Sequence, residues 1–343
     1  MPKVSVQIVT WNSLRYIFDC LESLMRQTYR DFSIVIIDNG SEDGTVEFLR
    51  EQYPTVSILQ NFKNNGFTKA NNQGIHLAKG QYVLVMNPDV ILADDYLENI
   101  VNCADQYPEA ASFGGKVLKL FSDNTNVEEE SNLRKVIKSR IIDSAGLLMY
   151  RSRKAANRGE GAIDRGQYER VEEVFGHSGA CVLYRKPALD EIMIRNEYYD
   201  QDFFAYKEDV DLAWRLRLYG WSAWYTPKAI SYHHRRFSAA KSGKGLKTVV
   251  RSRQSVSPSL RIASFKNHHL MLVKNDQLIN ILLHLPWFLP RELVLIFYSV
   301  FFEFFQWRSL IGFFRQLPSS LIKRRVIMAH KKVGAREIRK WFI

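Results

Sequence analysis

The chain has few cysteines, few structure-breaking residues and no apolar run long enough to cross a bilayer. Its 343 residues include three cysteines, Cys20, Cys103 and Cys181, whose wide spacing fits neither a zinc site nor a disulfide framework. Glycine and proline number 18 and 10, which excludes collagen-like and linker-like chains. The longest uncharged stretch near the C-terminus, residues 277–290, is 14 residues long, short of the roughly 20 needed to span a bilayer.

Signals for secretion and for several common active sites are also missing. Residues 1–12 lack the basic start, apolar centre and cleavage site of a signal peptide, so we expect a cytoplasmic protein. Residues 64–74 lack the glycines of a dinucleotide fingerprint and the Gly-Lys-Ser/Thr of a phosphate loop. Residues 176–179 lack the Gly-x-Ser-x-Gly form of a serine nucleophile elbow, and we interpret them as a wall on the acceptor side.

The formal charge of +12 is concentrated in two segments. Residues 235–261 contain eight basic and no acidic residues, and residues 321–343 contribute +7. The rest of the chain, at −3, is close to neutral. Such basicity favours a polyanion, whether nucleic acid, phosphorylated substrate or anionic lipid. Because the basic residues flank an apolar segment and no nucleic-acid module is recognisable, we expect an anionic membrane surface and no nucleic acid as partner.

The first 118 residues alternate short apolar runs with segments of helical periodicity. Val4–Thr10, Phe32–Ile37 and Tyr82–Met86 are typical of strands, the last two rich in the apolar and β-branched residues of strands buried on both faces of a sheet. Between them, apolar residues recur at spacings of three and four, as on helices. With 46% hydrophobic residues there is ample material for a core. The pattern predicts an α/β fold with a doubly wound, mostly parallel sheet.

Polar turns follow two of the predicted buried strands. Residues 38–45 come after the second strand and Asn87-Pro88-Asp89 after the fourth. Each turn alone also fits a helix entry, because Asn, Gly, Ser and Asp favour caps and Pro stops a strand. We take the two strands as neighbours, which places Asp38 and Asp89 on one rim of the sheet. Parallel sheets bind ligands beyond this rim, so we expect the functional site there.

Short motifs recur in one order along residues 3–240. They are Thr10-Trp11-Asn12, Asp38-Asn39-Gly40-Ser41-x-Asp43-Gly44-Thr45, Asn65-Gly66-Phe67, Asn87-Pro88-Asp89, Gly179-Ala180-Cys181, Glu208-Asp209-Val210-Asp211, Gly220-Trp221 and Tyr232-His233-His234. Together they resemble glycosyltransferase family 2, especially its bacterial rhamnosyltransferase-like branch, which builds cell-surface polysaccharides. The resemblance implies a GT-A fold and an inverting sugar transfer, with dTDP-rhamnose as the favoured donor and UDP-sugars as the other donor class.

The resemblance also assigns a donor site. Asp38 is expected to contact the base or ribose of the nucleotide diphosphate sugar. Asp89 stands where the family's Asp-x-Asp metal motif ends, with Asn87 in place of its first Asp, and is expected to hold Mg²⁺ or Mn²⁺ on the diphosphate. His233 matches a histidine that joins the metal or diphosphate site. The residues predicted to bind the donor are Thr10, Asn12, Asp38, Asn65, Gly66, Asn87 and Asp89.

Glu208-Asp209 matches the family's Glu-Asp motif, in which the Asp is the catalytic base. The chemistry itself requires a carboxylate to accept the acceptor's hydroxyl proton and a cation to neutralise the leaving diphosphate. Asp209, Asp89 and His233 supply this minimal set, with Glu208 beside the base. Two other interpretations remain open. The acids of 208–211 also suit a helix N-terminus, and His233 beside His234 also fits an ordinary surface cluster.

Composition divides the chain into two predicted parts. Residues 1–262 form the catalytic domain, with residues 1–118 as its nucleotide-sugar half and 119–262 as its acceptor half. Within the second half, residues 122–131 have almost no apolar content and are predicted to form a loop. Residues 263–343 form a helical, apolar and basic appendage.

Residues 291–316 fit an amphipathic helix that begins with Pro290 in its first turn. Arg291, Glu292, Ser299, Glu303 and Gln306 fall within one polar arc of roughly 120°, and the rest is largely apolar. Followed by the basic tail, this pattern favours a helix lying in the interface of an anionic membrane. The alternative is a helical hairpin packed against the catalytic domain or against a second subunit of a homo-oligomer.

The sequence thus predicts a glycosyltransferase that uses a nucleotide diphosphate sugar and a lipid-linked or growing polysaccharide acceptor. It is expected to lie on the cytosolic face of the plasma membrane as a peripheral protein. The alternative from another class is a binding protein that keeps the fold and recognises a nucleotide sugar or polysaccharide without catalysis.

Overall fold

The computed structural model describes residues 1–122, 136–234 and 256–343. The predicted loop beyond Ser122 and residues 235–255 of the basic segment lie outside the described residues. The division at residue 262 stays a prediction.

The N-terminal part confirms the predicted alternation of strands and helices. Each strand is short and apolar, and each helix presents apolar residues at spacings of three and four to the sheet. The elements are β1 (Val4–Thr10), α1 (Leu14–Met25), β2 (Phe32–Asp38), α2 (Thr45–Gln52), β3 (Ser57–Gln60), α3 (Phe67–Leu77), β4 (Tyr82–Met86), β5 (Val90–Leu92) and α4 (Tyr96–Gln106).

Residues 110–233 contribute mainly strands, which extend the sheet. They also form two helices, α5 and α6, and α6 begins with the predicted Glu-Asp pair. A 3-10 turn, Gln201–Phe203, precedes that helix. The elements are β6 (Ala110–Ser122), β7 (Val136–Ser144), β8 (Leu147–Met149), β9 (Ala155–Asn157), β10 (Glu172–Glu173), β11 (Cys181–Arg185), α5 (Lys186–Glu191), α6 (Glu208–Leu218) and β12 (Ser222–His233).

The main sheet has the strand order β10-β12-β6-β11-β4-β1-β2-β3. The pairs β4-β1, β1-β2, β2-β3 and β12-β6 are parallel, while β11 runs antiparallel between β4 and β6. The assumption that β2 and β4 are neighbours is wrong, because β1 lies between them. After β3 the chain crosses back to the other side of β1, and such a reversal of strand order opens a crevice at the carboxyl ends.

Two apolar clusters cover the two faces of this sheet. Alternate residues of β4 divide between them: Tyr82, Leu84 and Met86 join the cluster with α1 and α4, whereas Val83 and Val85 join the cluster with α6. The second cluster also contains apolar residues from the C-terminal segment, namely Leu270, Met271, Leu272, Ile327, Ile338 and Phe342. The C-terminal helices therefore complete the core on one side of the sheet.

The C-terminal segment is helical, as predicted, but its helices differ from the predicted one. Its elements are α7 (Pro258–Asn275), α8 (Leu278–Leu283), α9 (Leu285–Phe302), a 3-10 turn (Phe304–Gln306), α10 (Trp307–His330) and α11 (Ala335–Arg339). The prediction of a single helix over residues 291–316 is wrong, because the chain leaves helical geometry at Glu303. There the buried carboxylate accepts hydrogen bonds from Arg261 and Gln306. Pro290 lies inside α9, and Pro286 occupies the first turn instead.

The polar arc of these helices faces the protein and the apolar residues face outward. Glu292, Ser299, Glu303 and Gln306 are buried. The side chains that form what we call the exposed apolar face of α8 to α10 are Leu282, Trp287, Leu293, Val294, Phe297, Phe301, Phe302, Phe304, Trp307, Ile311 and Phe314. Across the described ranges, none of the helices combines the length and the apolar character that a bilayer crossing requires.

Candidate active site

A cleft of about 330 Å³ opens at the carboxyl ends of β1 and β4, and we call it the polar cleft after the amides and the carboxylate that stand among its apolar side chains. Of the predicted donor-binding residues, Asn12, Asn87 and Asp89 line it. The other four do not line the cleft but lie behind residues that do: Thr10, Asp38, Asn65 and Gly66. Trp11, which is 55% exposed, and Tyr16 add aromatic surface to the same cleft. Exposed aromatic rings beside amides and a carboxylate suit a planar base attached to a polar sugar.

Asp38 is fully buried at the end of β2 and bonded to the turn that follows it. Its Oδ1 accepts hydrogen bonds from Thr10 Oγ1 at 3.0 Å and from Ser41 Oγ at 2.5 Å. Its Oδ2 accepts from the amides of Gly40 and Ser41. The carboxylate therefore sets the shape of the turn that edges the cleft. Direct contact between Asp38 and a nucleotide stays a prediction.

Asn39 was not among the predicted site residues, and it joins two walls of the cleft. Its Nδ2 donates to Asn64 Oδ1 at 2.9 Å and to the Gly66 carbonyl at 3.2 Å, and its Oδ1 accepts from the Asn65 amide at 3.0 Å. The turn after β2 is thereby tied to the amide-rich loop before α3. The sequence signal that could have identified Asn39 as a site residue is its position directly after Asp38 in the motif.

Gly66 is held in a conformation that only glycine adopts without cost. Its φ is +87°, and a Cβ atom there would lie 2.4 Å from a ring carbon of Phe204. The Thr68 amide, two residues further along, donates to the Phe204 carbonyl at 3.1 Å. The loop before α3 and the loop before α6 therefore touch at this glycine.

We expect Gly66→Ala to lower stability by roughly 1–3 kcal/mol and to weaken donor binding, because the positive φ and the displaced Phe204 ring both carry a cost. Gly161→Ala is the matched control, since Gly161 also has a positive φ of +82° but nothing lies within 4 Å of its Cβ position. Urea unfolding and nucleotide titration would show whether the two variants differ. Equal effects of both would mean that the contact with Phe204 is unimportant.

Asp89 and His233 lie together beside the cleft, as the resemblance predicted. His233 Nε2 is 3.4 Å from Asp89 Oδ1, and His233 Nδ1 is 2.9 Å from Asp143 Oδ2. Burial alone would lower the pKa of His233, yet the two carboxylates outweigh it and raise the pKa to about 9. The interpretation of His233 as an ordinary surface residue is therefore wrong, because this side chain is buried between two acids.

Two of these side chains, Asp89 and His233, could hold a divalent cation together with further ligands. Asp89 Oδ1 is buried, and among the described residues only His233 Nε2, at 3.4 Å, approaches it. Asp143 accepts from Nδ1 of the imidazole and so orients Nε2 toward that oxygen, as carboxylates do behind metal-bound histidines. Within the described ranges no group of three or more His, Cys, Asp or Glu side chains forms a ready cation site. Asp89 and His233 would thus need further oxygen ligands, which a diphosphate possesses.

Asp143 was missed as a member of the site. It lies near the end of the strand β7, ninety residues before His233. Only the pairing of β7 and β12 with opposite edges of β6 brings the two side chains together.

Glu208 and Asp209 line a cavity of about 550 Å³ that adjoins the cleft. Both residues lie in the first turn of α6, where the helix dipole favours negative charge. Asp209 Oδ2 accepts from the Gly179 amide at 3.2 Å and Oδ1 from the Val210 amide at 2.8 Å. Ser178, Gly179, Asn87 and His233 line the same cavity. The predicted wall at 176–179 therefore faces the Glu-Asp pair.

Glu208 has an unusual pKa for a carboxyl group. Burial and the neighbouring carboxyl of Asp209 raise the pKa of Glu208 to about 8, and among the described residues its Oε2 has no hydrogen-bond partner. Strongly shifted carboxyl groups in cavities are typical of active sites.

We expect Glu208→Gln to stabilise the protein at alkaline pH. Below about pH 4.5 Glu208 is neutral in both the folded and unfolded states, so the variant and wild type should be equally stable. Between pH 4.5 and 8 only the unfolded chain ionises Glu208, so wild-type stability falls as pH rises, and above pH 8 the penalty is complete. The difference should reach several kcal/mol, since each unit between the two pKa values contributes about 1.4 kcal/mol. Urea unfolding from pH 4 to 9 measures it, and a difference that is constant with pH would contradict the raised pKa.

The loop directly before Glu208 and Asp209 has a strained backbone. Phe204, Tyr206 and Lys207 all have positive φ, which is costly for residues other than glycine. Asn267 of α7 holds the loop, because its Nδ2 donates to the carbonyls of Phe203, Ala205 and Tyr206 at 2.7 to 2.9 Å. Asn267 is fully buried and was not predicted from sequence. The C-terminal helices thus help to shape the candidate active site.

Three features together define an α/β enzyme of the GT-A type. They are the mostly parallel sheet whose strand order reverses at β1, the cleft at that reversal, and the carboxyl pair. The model of glycosyl transferase family 2 matches residues 5–193, more than half of the chain. The chain belongs to glycosyl transferase family 2.

Individual proteins similar to the chain support this assignment. The N-acetylglucosaminyl-diphospho-decaprenol L-rhamnosyltransferase of Mycobacterium tuberculosis is 28% identical over 248 residues, which cover 69% of this chain and 77% of that protein. A crystal structure of S. aureus TarS residues 1–349 has a TM-score of 0.55 and 16% identity, over 99% of this chain and 89% of that one. A crystal structure of GalNAc-T7 with UDP, GalNAc and Mn²⁺ has a TM-score of 0.53 and 16% identity, over 74% and 48%. Both structures support the fold.

Proposed function

We propose that the protein is an inverting glycosyltransferase that moves a sugar from a nucleotide diphosphate sugar to a lipid-linked or growing cell-surface polysaccharide. The observation that carries this proposal is the carboxyl pair of Glu208, whose pKa is raised, and Asp209, facing a cavity that adjoins the polar cleft. The similar mycobacterial protein is named as an L-rhamnosyltransferase of a diphospho-decaprenol. That name supports rhamnose as the sugar, with dTDP-rhamnose as the first donor to test, and a lipid-linked acceptor.

Asp209 acts as the general base in this reaction. The acceptor hydroxyl gives its proton to Asp209 while its oxygen bonds to the anomeric carbon from the face opposite the leaving group. The bond between that carbon and the diphosphate oxygen breaks, and the nucleoside diphosphate leaves with the electron pair. The amides of Gly179 and Val210 hold the carboxylate in position. Neutral Glu208 donates a hydrogen bond within the cavity without adding a second negative charge.

Asp89 and His233 would hold Mg²⁺ or Mn²⁺ beside the donor diphosphate. Such a cation, when bound, neutralises charge on the leaving group. The buried Asp89 Oδ1, 3.4 Å from His233 Nε2, and the orientation of His233 by Asp143 support this assignment. The Mn²⁺ in the GalNAc-T7 structure is consistent with it.

The exposed apolar face of α8 to α10 supports the proposal that the protein is peripheral at the cytosolic surface of the membrane. On α10, the exposed residues Trp307, Ile311 and Phe314 alternate with exposed Arg308 and Arg315 on one side of the helix. Apolar side chains interleaved with cations suit the interface of an anionic bilayer. Lys323, which the sequence counts as part of the basic tail, is instead buried in ion pairs and does not contribute.

The donor and metal assignments are tested by turnover of a nucleotide-sugar panel that includes dTDP-rhamnose and UDP-sugars. Each donor is assayed with and without Mg²⁺ or Mn²⁺, using a prenyl-diphosphate-linked N-acetylglucosamine as acceptor. We expect cation-stimulated turnover of dTDP-rhamnose and inversion at the anomeric carbon. Turnover of UDP-sugars alone would overturn rhamnose, and no turnover of any donor would overturn the glycosyltransferase proposal.

The membrane assignment is tested separately with vesicles. Wild type should sediment with phosphatidylglycerol vesicles, and less with phosphatidylcholine vesicles. A double variant, Phe301→Ser and Phe302→Ser, should bind at least about tenfold more weakly, because both rings are exposed. Equal sedimentation of the double variant and wild type would exclude this face as the contact.

A further inference from the structure

A second cavity, of about 220 Å³, lies between the candidate active site and α9. Three cationic side chains line it, Lys207, Arg261 and Arg291, and within the described ranges no carboxylate does. Lys207 and Tyr206 also line the larger cavity that contains Asp209. The opposite wall includes Leu295 of α9, the helix that carries much of the exposed apolar face. We call this cavity of about 220 Å³ the basic pocket. It lies between the carboxyl pair and the exposed apolar face.

The cations of the basic pocket have donors that the protein does not satisfy. Among the described residues, Lys207 Nζ has neither a hydrogen-bond nor an ion-pair partner, and burial lowers the pKa of Lys207 more than the nearby carboxyl groups of Asp209 and Glu208 raise it. Arg291 pairs with Glu292, and Arg261 pairs with Glu303 through Nη1 at 2.7 Å. Within the described ranges Arg261 Nε is nevertheless buried without a partner. Buried donors without acceptors are costly, so their retention needs a reason beyond folding.

We propose that Lys207, Arg261 and Arg291 bind the phosphate groups of a lipid-linked acceptor, whose lipid chain then continues along the exposed apolar face. The inference rests on the proposed function. It adds to that function the place where the phosphate groups of the acceptor bind. Phosphate oxygens would supply the missing acceptors to Lys207 Nζ and Arg261 Nε, and arginine and lysine are the side chains suited to phosphate. The sugar beyond the phosphate would then reach the cavity of Asp209.

The geometry favours the acceptor's phosphates over those of the donor. None of the three cations lines the polar cleft that contains Asn12, Asn87 and Asp89. That cleft shares only Leu260 with the basic pocket. The donor diphosphate is therefore expected on the Asp89 side, and the basic pocket lies on the side of the exposed apolar face.

The test is binding of three probes to the full-length protein: farnesyl diphosphate, farnesol and the nucleoside diphosphates dTDP and UDP. The variants are Lys207→Met, Arg291→Gln and, as a matched control, Arg26→Gln, which removes one exposed charge outside both the pocket and the exposed apolar face. We expect farnesyl diphosphate to bind about tenfold more weakly to the first two variants, with farnesol and nucleotide affinity unchanged. Arg26→Gln should bind all probes as wild type does.

Thermal unfolding separates this role from a structural one. Lys207→Met removes a buried cation without a partner, so its Tm should be equal to or above that of wild type while farnesyl diphosphate binding falls. Loss of nucleotide affinity instead would place these cations in the donor site, and equal effects on farnesol would show that they do not recognise phosphate. Either result overturns the inference. Because nucleotide binding and donor turnover are measured independently of farnesyl diphosphate, the proposed function can stand while the inference fails.

Discussion

Asp209→Asn is expected to lower kcat by about a thousandfold, because the amide cannot accept the proton of the acceptor hydroxyl. Its shape is almost that of the carboxylate, so the cavity should keep its form. One of the two amide hydrogen bonds, from Gly179 or Val210, would be lost, and only a small change of Tm should follow. Single-turnover transfer assays with a saturating donor measure the chemical step directly.

The control for charge removal is Asp94→Asn. Asp94 is exposed and forms a 3.4 Å ion pair with Arg26 outside the carboxyl pair, so transfer should match wild type. Affinity of Asp209→Asn for dTDP and UDP should also match wild type, because Asp209 does not line the polar cleft. A variant that keeps a tenth or more of the wild-type rate would rule out Asp209 as the base. Glu208, with its raised pKa, would then be the group to test.

Sequence patterns predicted the features that depend on residues close together in the chain. The apolar runs of β2 and β4 predicted buried strands, and both were found within a residue of the expected bounds. Glu208 and Asp209 lie at the start of a helix and also line a cavity, so the helix N-terminus is confirmed while their catalytic role stays a prediction.

Sequence patterns could not predict contacts between distant segments. Asp143 orients His233 from ninety residues away, and Asn267 holds the loop before Glu208 from sixty residues further on. Neither residue carries a local signal, since an isolated Asp or Asn fits any surface loop or helix equally well. Asp211 shows the same limit: it was read as a helix cap, but its carboxylate bonds to Lys274 and Asn275 of α7.

The direction of the C-terminal helices was also decided by distant partners. Periodicity in residues 291–306 showed a polar arc but not which way it faces. The arc packs inward because Glu292 contacts His268 and His269, and Glu303 contacts Arg261, all on α7. These ion pairs and hydrogen bonds compensate for burying the carboxylates. As a result the apolar residues point away from α7 and are exposed in the described part of the chain.

A buried ion-pair network joins these helices to the catalytic body. Asp200, which is 2% exposed, contacts Lys274 of α7 and, at 2.5 Å, Lys323 of α10. Lys274 also lies 2.9 Å from Asp211 on α6. Burial alone would raise the pKa of Asp200, but the two lysines outweigh it and lower the pKa well below its usual range. This contribution to stability is present above about pH 4 and is lost as pH falls below it.

We expect Asp200→Asn to reduce the free energy of unfolding by about 3–5 kcal/mol, because it leaves Lys274 and Lys323 buried with too little negative charge. Asp200 also accepts a hydrogen bond from the Asp202 amide at 3.0 Å, directly before the strained loop, so the acceptor KM should rise as well. Adding Lys274→Met should recover part of the lost stability, since it removes the excess positive charge. Urea unfolding of both variants, with Asp94→Asn expected within about 0.5 kcal/mol of wild type, measures these differences. If Asp200→Asn cost less than about 1 kcal/mol, or if the second substitution only added to the loss, the network would not be what fixes the C-terminal helices to the active site.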